Sequence, residues 1–313
     1  MRIAGTSYTD SMVAQINLLA AQQYKLQNQA STGQRIQTPE DDPAGMQQAL
    51  NLQAESSNVA QYARNISTLQ ARSDAGYSVL QQIQTISNRA GEIATSADGT
   101  TSPQTMQSYA TEVSQLIQQA AQLMNTQDGD QYLFGGTASG QPPFVVTQDA
   151  NGNVTGVDYQ GNTSVARSQI GDDTTLSVDV PGENNSGSGP RGLVSDSRYG
   201  ADLFNHLISL QNDLLAGNTT AVSTTDQPAL TKDEDNVAYQ VANYGAVQAQ
   251  LNMAASMAGT RTTSLSQSLN NVAGADMAQT LSQLTQANNA YQAALQSAAT
   301  LMQLKQSLLA YLP

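Results

Sequence analysis

Three adjacent carboxylates, Glu40, Asp41 and Asp42, are the residues whose types could most readily do chemistry. They lie in STGQRIQTPEDDPAGMQQAL, Ser31 to Leu50, among two Gly and two Pro residues. Clustered carboxylates suit a divalent cation, but a calcium loop needs alternating ligand positions and a closing Glu, and this stretch has neither. The same residues spell a joint between two helices. Gly33 suits the position just past a helix end, where the backbone turns left-handed. Thr38-Pro39 keeps the chain extended. Asp42 can cap the next helix, with Pro43 at its first position and Gly45 two residues on. Glu40 and Asp41 sit well at the positive end of that helix dipole.

The other candidates are weaker. His206 is the chain's single histidine; no nucleophile elbow of the GxSxG kind accompanies it, so a surface or capping role is expected. FGGT, Phe134 to Thr137, lacks the GxGxxG spacing and following helix of a dinucleotide site, and reads as a tight turn. Asp233 to Asp235 reads as a solvated helix start, and the Met residues as packing. Cysteine is absent, which excludes disulfides and thiolate chemistry. No catalytic, cofactor-binding or metal-ligating set is therefore assigned, no cofactor is implied, and an enzyme is not expected. Function must lie in surfaces and assembly.

Composition supports that view. The chain of 313 residues is 39% hydrophobic but only 12% charged, roughly half the charge of an average soluble domain. Small uncharged residues fill the gap, as in closely packed long helices. A net charge of −13 with no basic stripe argues against nucleic-acid binding. The acidity sits in the middle: residues 1–45 carry three cations against four carboxylates, and residues 270–313 one of each. Near-neutral ends suit surfaces meant to be buried, because charge is depleted from interface cores. Met1 to Gly33 shows no charged segment followed by an apolar one, so a Sec signal peptide is not expected. No apolar run reaches membrane-spanning length.

Heptads position these residues. Met12, Ile16, Leu19, Gln23, Leu26 and Ala30 recur at spacings of four and three. So do Met277, Leu281, Leu284, Asn288, Tyr291, Leu295, Ala298 and Met302, with Leu304, Leu308 and Tyr311 beyond. This is the coiled-coil signature. A third stripe runs from Val59 to Ala94, a fourth from Met106 to Leu123 and a fifth from Val237 to Val272, with a turn at Asp98 to Pro103. From Gln131 to Tyr199, Gly, Asn, Asp and β-branched residues take over, with hairpin turns expected at Asn151-Gly152 and Gln160-Gly161. PGENNSGSGPRG reads as a flexible exposed loop, and GNTTAVSTTDQP as a soft linker. The expected fold is mainly α with a β-rich insertion: a long antiparallel helical bundle, terminal helices forming a coiled coil, and a small β domain at the tip. The expected domains are 1–42 plus 270–313 (coiled coil), 43–130 plus 200–269 (bundle) and 131–199 (β-rich). Met12, Ile16, Leu19, Leu26, Leu284, Tyr291, Leu295, Leu304, Leu308 and Tyr311 are the expected assembly surface, with the C-terminal stripe burying against Met12, Ile16 and Leu19 and against other subunits.

The joint also carries a resemblance. Gly33-x-Arg35-Ile36 followed by Asp41-Asp42-Pro43-Ala44-Gly45 resembles the N-terminal motif of the flagellin superfamily. YLFGGTASGQPPF, VDYQGN and the closing LLAYL resemble members found where hook meets filament more than flagellin itself. The resemblance implies an adaptor ring in the flagellar axis that joins hook to filament and is needed for filament assembly. The implied partners are copies of itself, the neighbouring hook-associated protein 1, flagellin and an export chaperone, with no nucleic acid and no membrane. It implies export through the flagellar type III channel and an extracellular place in the flagellum. The alternative within the superfamily is a minor flagellin. A coiled-coil adhesin would need the missing signal peptide. Heptad ends without a partner would be marginal helices alone, so residues 1–40 and 275–313 are expected to order on assembly.

Overall fold

The computed structural model describes residues 3–310, and side chains for residues 10–304. Five long helices carry the heptads: α1 (Ile3–Thr32), α2 (Pro43–Ser96), α3 (Pro103–Met124), then, after the strands and the shorter α4 (Leu203–Ala216) and α5 (Thr219–Ala221), α6 (Gln227–Ala273) and α7 (Met277–Ala310). Among the described residues none of these helices is long and apolar enough to cross a membrane. Ser102 caps α3, its hydroxyl accepting from Thr105 N at 3.2 Å, with Pro103 at the first position. On α2 the heptad register dictates burial: Val59, Ile66, Leu69, Ser73, Gly76, Leu80, Ile83, Ser87, Ala90 and Ala94 are buried, with Tyr62 half-buried.

The chain forms two compact units, residues 1–58 with 261–313, and residues 59–260. In the first, α1 packs along α7, so the terminal helices partner each other instead of standing unpaired. Arg261 of α6 pairs with Glu55 of α2. In the second, α2 and α6 run antiparallel: Gln70 Nε2 donates to Asn252 Oδ1 at 2.8 Å and Gln248 Nε2 to Asp74 Oδ1 at 2.8 Å.

The strands are short. β1 (Gln127–Asp128) pairs with β2 (Gln131–Tyr132), β3 (Phe144–Gln148) with β4 (Val154–Tyr159), and β5 (Ser168–Gly171) with β6 (Thr174–Leu176), all antiparallel; β7 (Glu183–Asn184), β8 (Ser195–Asp196) and β9 (Ala201–Asp202) form a three-stranded sheet. Asn151-Gly152 turns the β3–β4 hairpin, with Gly152 at φ 85°. The strand region does not make a core of its own. Phe134, Phe144, Val154 and Leu193 share one core with Val79 of α2, Ile117 of α3 and Leu207 of α4, while Ile170 and Val178 pack on Ile66, Leu69 and Leu251. The described residues thus form two compact units in a mainly helical fold with a small β region, the strands sharing the core of the second unit.

Three local expectations need correction. Asn184, expected in an exposed loop, is buried, and its Nδ2 donates to Ser188 O at 2.7 Å and Pro190 O at 2.5 Å. The expected linker at Gly217 to Pro228 is helical, with a π-helical turn at Val222–Asp226. Asp233, expected to be solvated, is buried within α6 against His206.

Candidate functional site

At the joint the chain leaves one helix and enters the next through backbone geometry that few residues can adopt. Gly33 has φ +69°, and its N–H closes α1 on Gln29 O at 2.9 Å. Asp42 Oδ1 accepts from Gly45 N at 2.9 Å, capping α2, and Pro43 opens the helix. Any Cβ at position 45 would stand 2.6 Å from both Asp42 Oδ2 and Ile36 Cδ1, so only glycine lets the cap and the buried Ile36 close on the first turn. Asp41 Oδ2 accepts from Gln37 N at 3.0 Å and Thr38 N at 3.1 Å, while its Oδ1 takes Lys25 Nζ at 2.6 Å. The Lys25 ammonium and these two backbone donors hold the Asp41 carboxyl far below the usual carboxylate range; the Gly45 N–H and Arg35 do the same, less strongly, for Asp42. Each carboxylate of this cluster that the structure ties down is consumed by the turn itself. Among the described residues no cluster of metal-ligating side chains forms.

A second crossing lies against the first. Gln34 forms an antiparallel bridge with Gly274. Arg35 N donates to Ala273 O at 2.7 Å, Ala275 N to Gly33 O at 2.8 Å, and Arg35 Nη2 to Val272 O at 2.9 Å. Asp276 then caps α7, accepting from Gln279 N at 3.1 Å. The signal was legible in principle: Gly274 followed by Asp276 repeats the grammar of Gly33 followed by Asp42, a helix stop and then a helix start.

Beyond the joint, α1 and α7 present two faces. On α1, Met12, Ile16 and Leu19 are half-buried and Leu26 is buried, while Val13, Leu18 and Tyr24 face solvent. On α7 the inward stripe is Thr280, Leu284, Ala287, Tyr291, Ala294 and Ala298. Leu284 and Tyr291 lie on it as expected from the heptad, but Leu295 does not: Ala294 takes the inward place, and Leu295 is 43% exposed. Small side chains at 287 and 294 let α1 approach closely, which a leucine there would prevent. Leu281, Met302 and Leu304 are also exposed. Leu308 lies in α7, its side chain outside the described residues, and Tyr311 is outside them altogether.

His206, expected at the surface or in a cap, is half-buried. Its Nδ1 lies 2.8 Å from Asp233 Oδ2, and Asp202 N donates to Asp233 Oδ1 at 2.7 Å. Burial works against the imidazolium, yet the hydrogen bond and charge of Asp233, with Asp202 beyond, outweigh it and raise the His206 pKa. One turn along α4, Ser209 Oγ donates to Asp226 Oδ1 at 2.7 Å. The first pair clamps α4 to α6 and the second clamps it to the π-helical turn before α6; among the described residues no nucleophile is hydrogen-bonded to the imidazole.

A terminal helix pair, a Gly-and-Asp joint and a helical core with inserted strands make a mainly helical scaffold. Residues 6–139 match the family model of the bacterial flagellin N-terminal helical region. Flagellar hook-associated protein 3 of Escherichia coli (strain K12) is 27% identical over 289 residues, 87% of this chain and 88% of that protein. Its counterpart in Salmonella typhimurium is 32% identical over 146 residues, 46% of each chain. In fold, the chain is similar to a solved putative flagellar hook-associated protein from Vibrio parahaemolyticus (TM-score 0.62, 17% identity, 75% of this chain and 100% of that one). It is also similar to Bacillus cereus FlgL (TM-score 0.55, 16% identity, 70% and 99%). Over most of its length the chain is thus similar to flagellar hook-associated protein 3, and its N-terminal part matches the flagellin helical region. It is a structural component of the bacterial flagellum.

Proposed function

We propose that the protein forms an adaptor ring between hook and filament and that flagellin filaments need this ring to assemble. One observation carries the reading: the α1–α7 pair has satisfied its inward face and still exposes large apolar side chains on its outer one. Val13 is 52% exposed, Leu18 67% and Leu281 51%, on segments nearly free of charge. Exposed apolar surface of this kind marks an interface. The occupants proposed are neighbouring copies around the ring, hook-associated protein 1 on one side and flagellin on the other. Export before folding, with a chaperone covering the apolar ends until then, places the mature protein outside the cell. The joint residues Gly33, Asp41, Asp42, Pro43 and Gly45 fix the path by which α1 hands over to α2, and so the direction in which the apolar faces point.

One observation favours a second reading, a minor flagellin: the matching family model is that of flagellin's own N-terminal region. Deleting the gene separates the two. An adaptor strain retains hooks and loses unpolymerised flagellin to the medium. A minor-flagellin strain still builds filaments, and that result would overturn the adaptor reading.

A further inference from the structure

Arg72 and Arg198 each have a carboxylate partner, Asp179 at 2.6 Å and Asp196 at 2.5 Å. Two neighbouring guanidiniums do not: among the described residues, Arg167 and Arg191 form no ion pair. These two line the same solvent-open cavity of about 280 Å³. Arg191 is fixed in place. Its guanidinium stacks 3.6 Å from the Tyr199 ring and 4.3 Å from the Tyr239 ring, and its Nε donates to Asn236 Oδ1 at 2.5 Å. Stacking leaves the guanidinium edge free to bind, and holding it in advance reduces what binding must order. Arg167 reaches the cavity from β5's approach, braced by Thr175 Oγ1 at 3.2 Å. Ser177 and Asn243 add hydroxyl and amide groups, and Val165 and Val247 an apolar wall. The one carboxylate in the lining, Asp179, is already matched by Arg72.

We infer that this cavity between α6 and the strand region binds a small sugar carboxylate, of the uronic-acid class, with Arg167 and Arg191 on the carboxylate and Ser177 and Asn243 on ring hydroxyls. A planar fork of donors matches a carboxylate in two-point geometry. The volume suits one monosaccharide and is below that of a drug-sized site. Walls that are part apolar and part hydroxyl-binding match the two faces of a sugar ring and give a bare inorganic anion no advantage. The site is independent of the terminal helices, so it stands or falls apart from the adaptor reading.

Saturation-transfer NMR and calorimetry on the full chain, with galacturonate, galactose and inorganic phosphate as probes, test it. Galacturonate should bind, and more weakly as salt rises; galactose should not. Arg167→Gln should weaken galacturonate by about tenfold, the scale of one charge-assisted contact. Arg191→Gln should weaken it at least as much. Because Arg191 also packs between two tyrosines, Arg167→Gln, on an exposed hairpin, is the decisive variant, and an unchanged melting curve certifies its fold. Galacturonate binding no better than galactose, binding unmoved by Arg167→Gln, or phosphate binding as tightly as galacturonate would each overturn the assignment.

Discussion

Leu26 and Leu295 lie on the same helix pair and should fail in different assays. Leu26 is 6% exposed and Leu295 43% exposed. Full burial of a leucine contributes about 1.5–3 kcal/mol. For Leu295 roughly two-fifths of that, ~0.6–1.3 kcal/mol per subunit, is still to be gained when a neighbour covers it. Leu295→Asp removes this gain and sets an unpaired carboxylate in the contact, a further ~1–3 kcal/mol. In the proposed ring each contact is then weaker by about 2–4 kcal/mol, roughly thirty- to a thousandfold, and the penalty recurs at every contact. The monomer loses only the buried share, ~1–2 kcal/mol, and none of it in residues 59–260. Leu26→Ala behaves oppositely: it leaves the outer face intact and costs the helix pair ~2–5 kcal/mol. Thermal melts of both purified variants, beside motility and the amount of flagellin shed to the medium, decide the matter. Leu295→Asp cells should shed flagellin and not swim, while the variant keeps the main melting transition. Normal filaments in that strain would refute the claim that this face is an interface. An unchanged melt for Leu26→Ala would refute the packing of α1 on α7.

Two helical glycines should respond with opposite signs. Gly76→Ala would put a Cβ 2.6 Å from Tyr244 Cε1 and should lower stability by ~1–3 kcal/mol, whereas Gly245→Ala, with open space at its Cβ, should raise it by up to ~1 kcal/mol; urea midpoints read both. Stability should peak at about pH 4, in the ordinary carboxylate range. Burial, with Asp202 and Asp158 nearby, pushes Glu183 up to about 7, and burial pushes Asp226 up to about 6; the folded state therefore holds these protons more tightly than the unfolded chain. Their contribution is present below the ordinary carboxylate range and is lost as pH rises through those values, so melting temperature should fall from pH 5 to pH 8. The depressed Asp41 and Asp42 act in the other sense, and their contribution is lost in strong acid; a melting temperature that climbs steadily to pH 8 would contradict the scheme. Deleting Asn184 to Gly189 removes the strand pairing of Glu183 and Asn184 with Ser195 and Asp196, and should destabilise residues 59–260 enough to cut secreted yield.

Periodicity made the helices legible, because a buried stripe at spacings of three and four is dictated by the helix itself. The α2 register from Val59 to Ala94 needed no tertiary information. What stayed hidden depended on partners distant in sequence. Asp233 reads as solvated in the run Asp233-Glu234-Asp235 until α4 brings His206 against it. Asn184 reads as loop in ENNSGSG until its amide is seen spanning Ser188 and Pro190. The crossing at Gly274 was faint because a single antiparallel bridge leaves no pattern in either strand, and its only mark is a glycine and an aspartate, a helix stop and start that occur in many contexts.

The heptad on α7 shows a deeper ambiguity. Leucine outranks alanine in hydrophobicity, so reading the stripe by apolar strength selects Leu295. The helix pair selects Ala294, because close approach of two backbones gains more contacts along their whole length than one leucine adds by holding them apart. Leu281, Leu295 and Met302 are then turned outward on a helix that already has its partner. A lone soluble helix pair gains nothing from exposing them, and aggregation makes it a liability. Their retention on a segment almost free of charge is explained if α7 serves two contacts in succession, alanines inward for the monomer and leucines outward for the assembly. On that account, exchanging the two sets, Ala294→Leu with Leu295→Ala, should impair both steps at once, although it leaves composition unchanged. If the exchanged protein melts normally and builds filaments, small inward residues are not what lets the pair close, and the outward leucines are not what the neighbour reads.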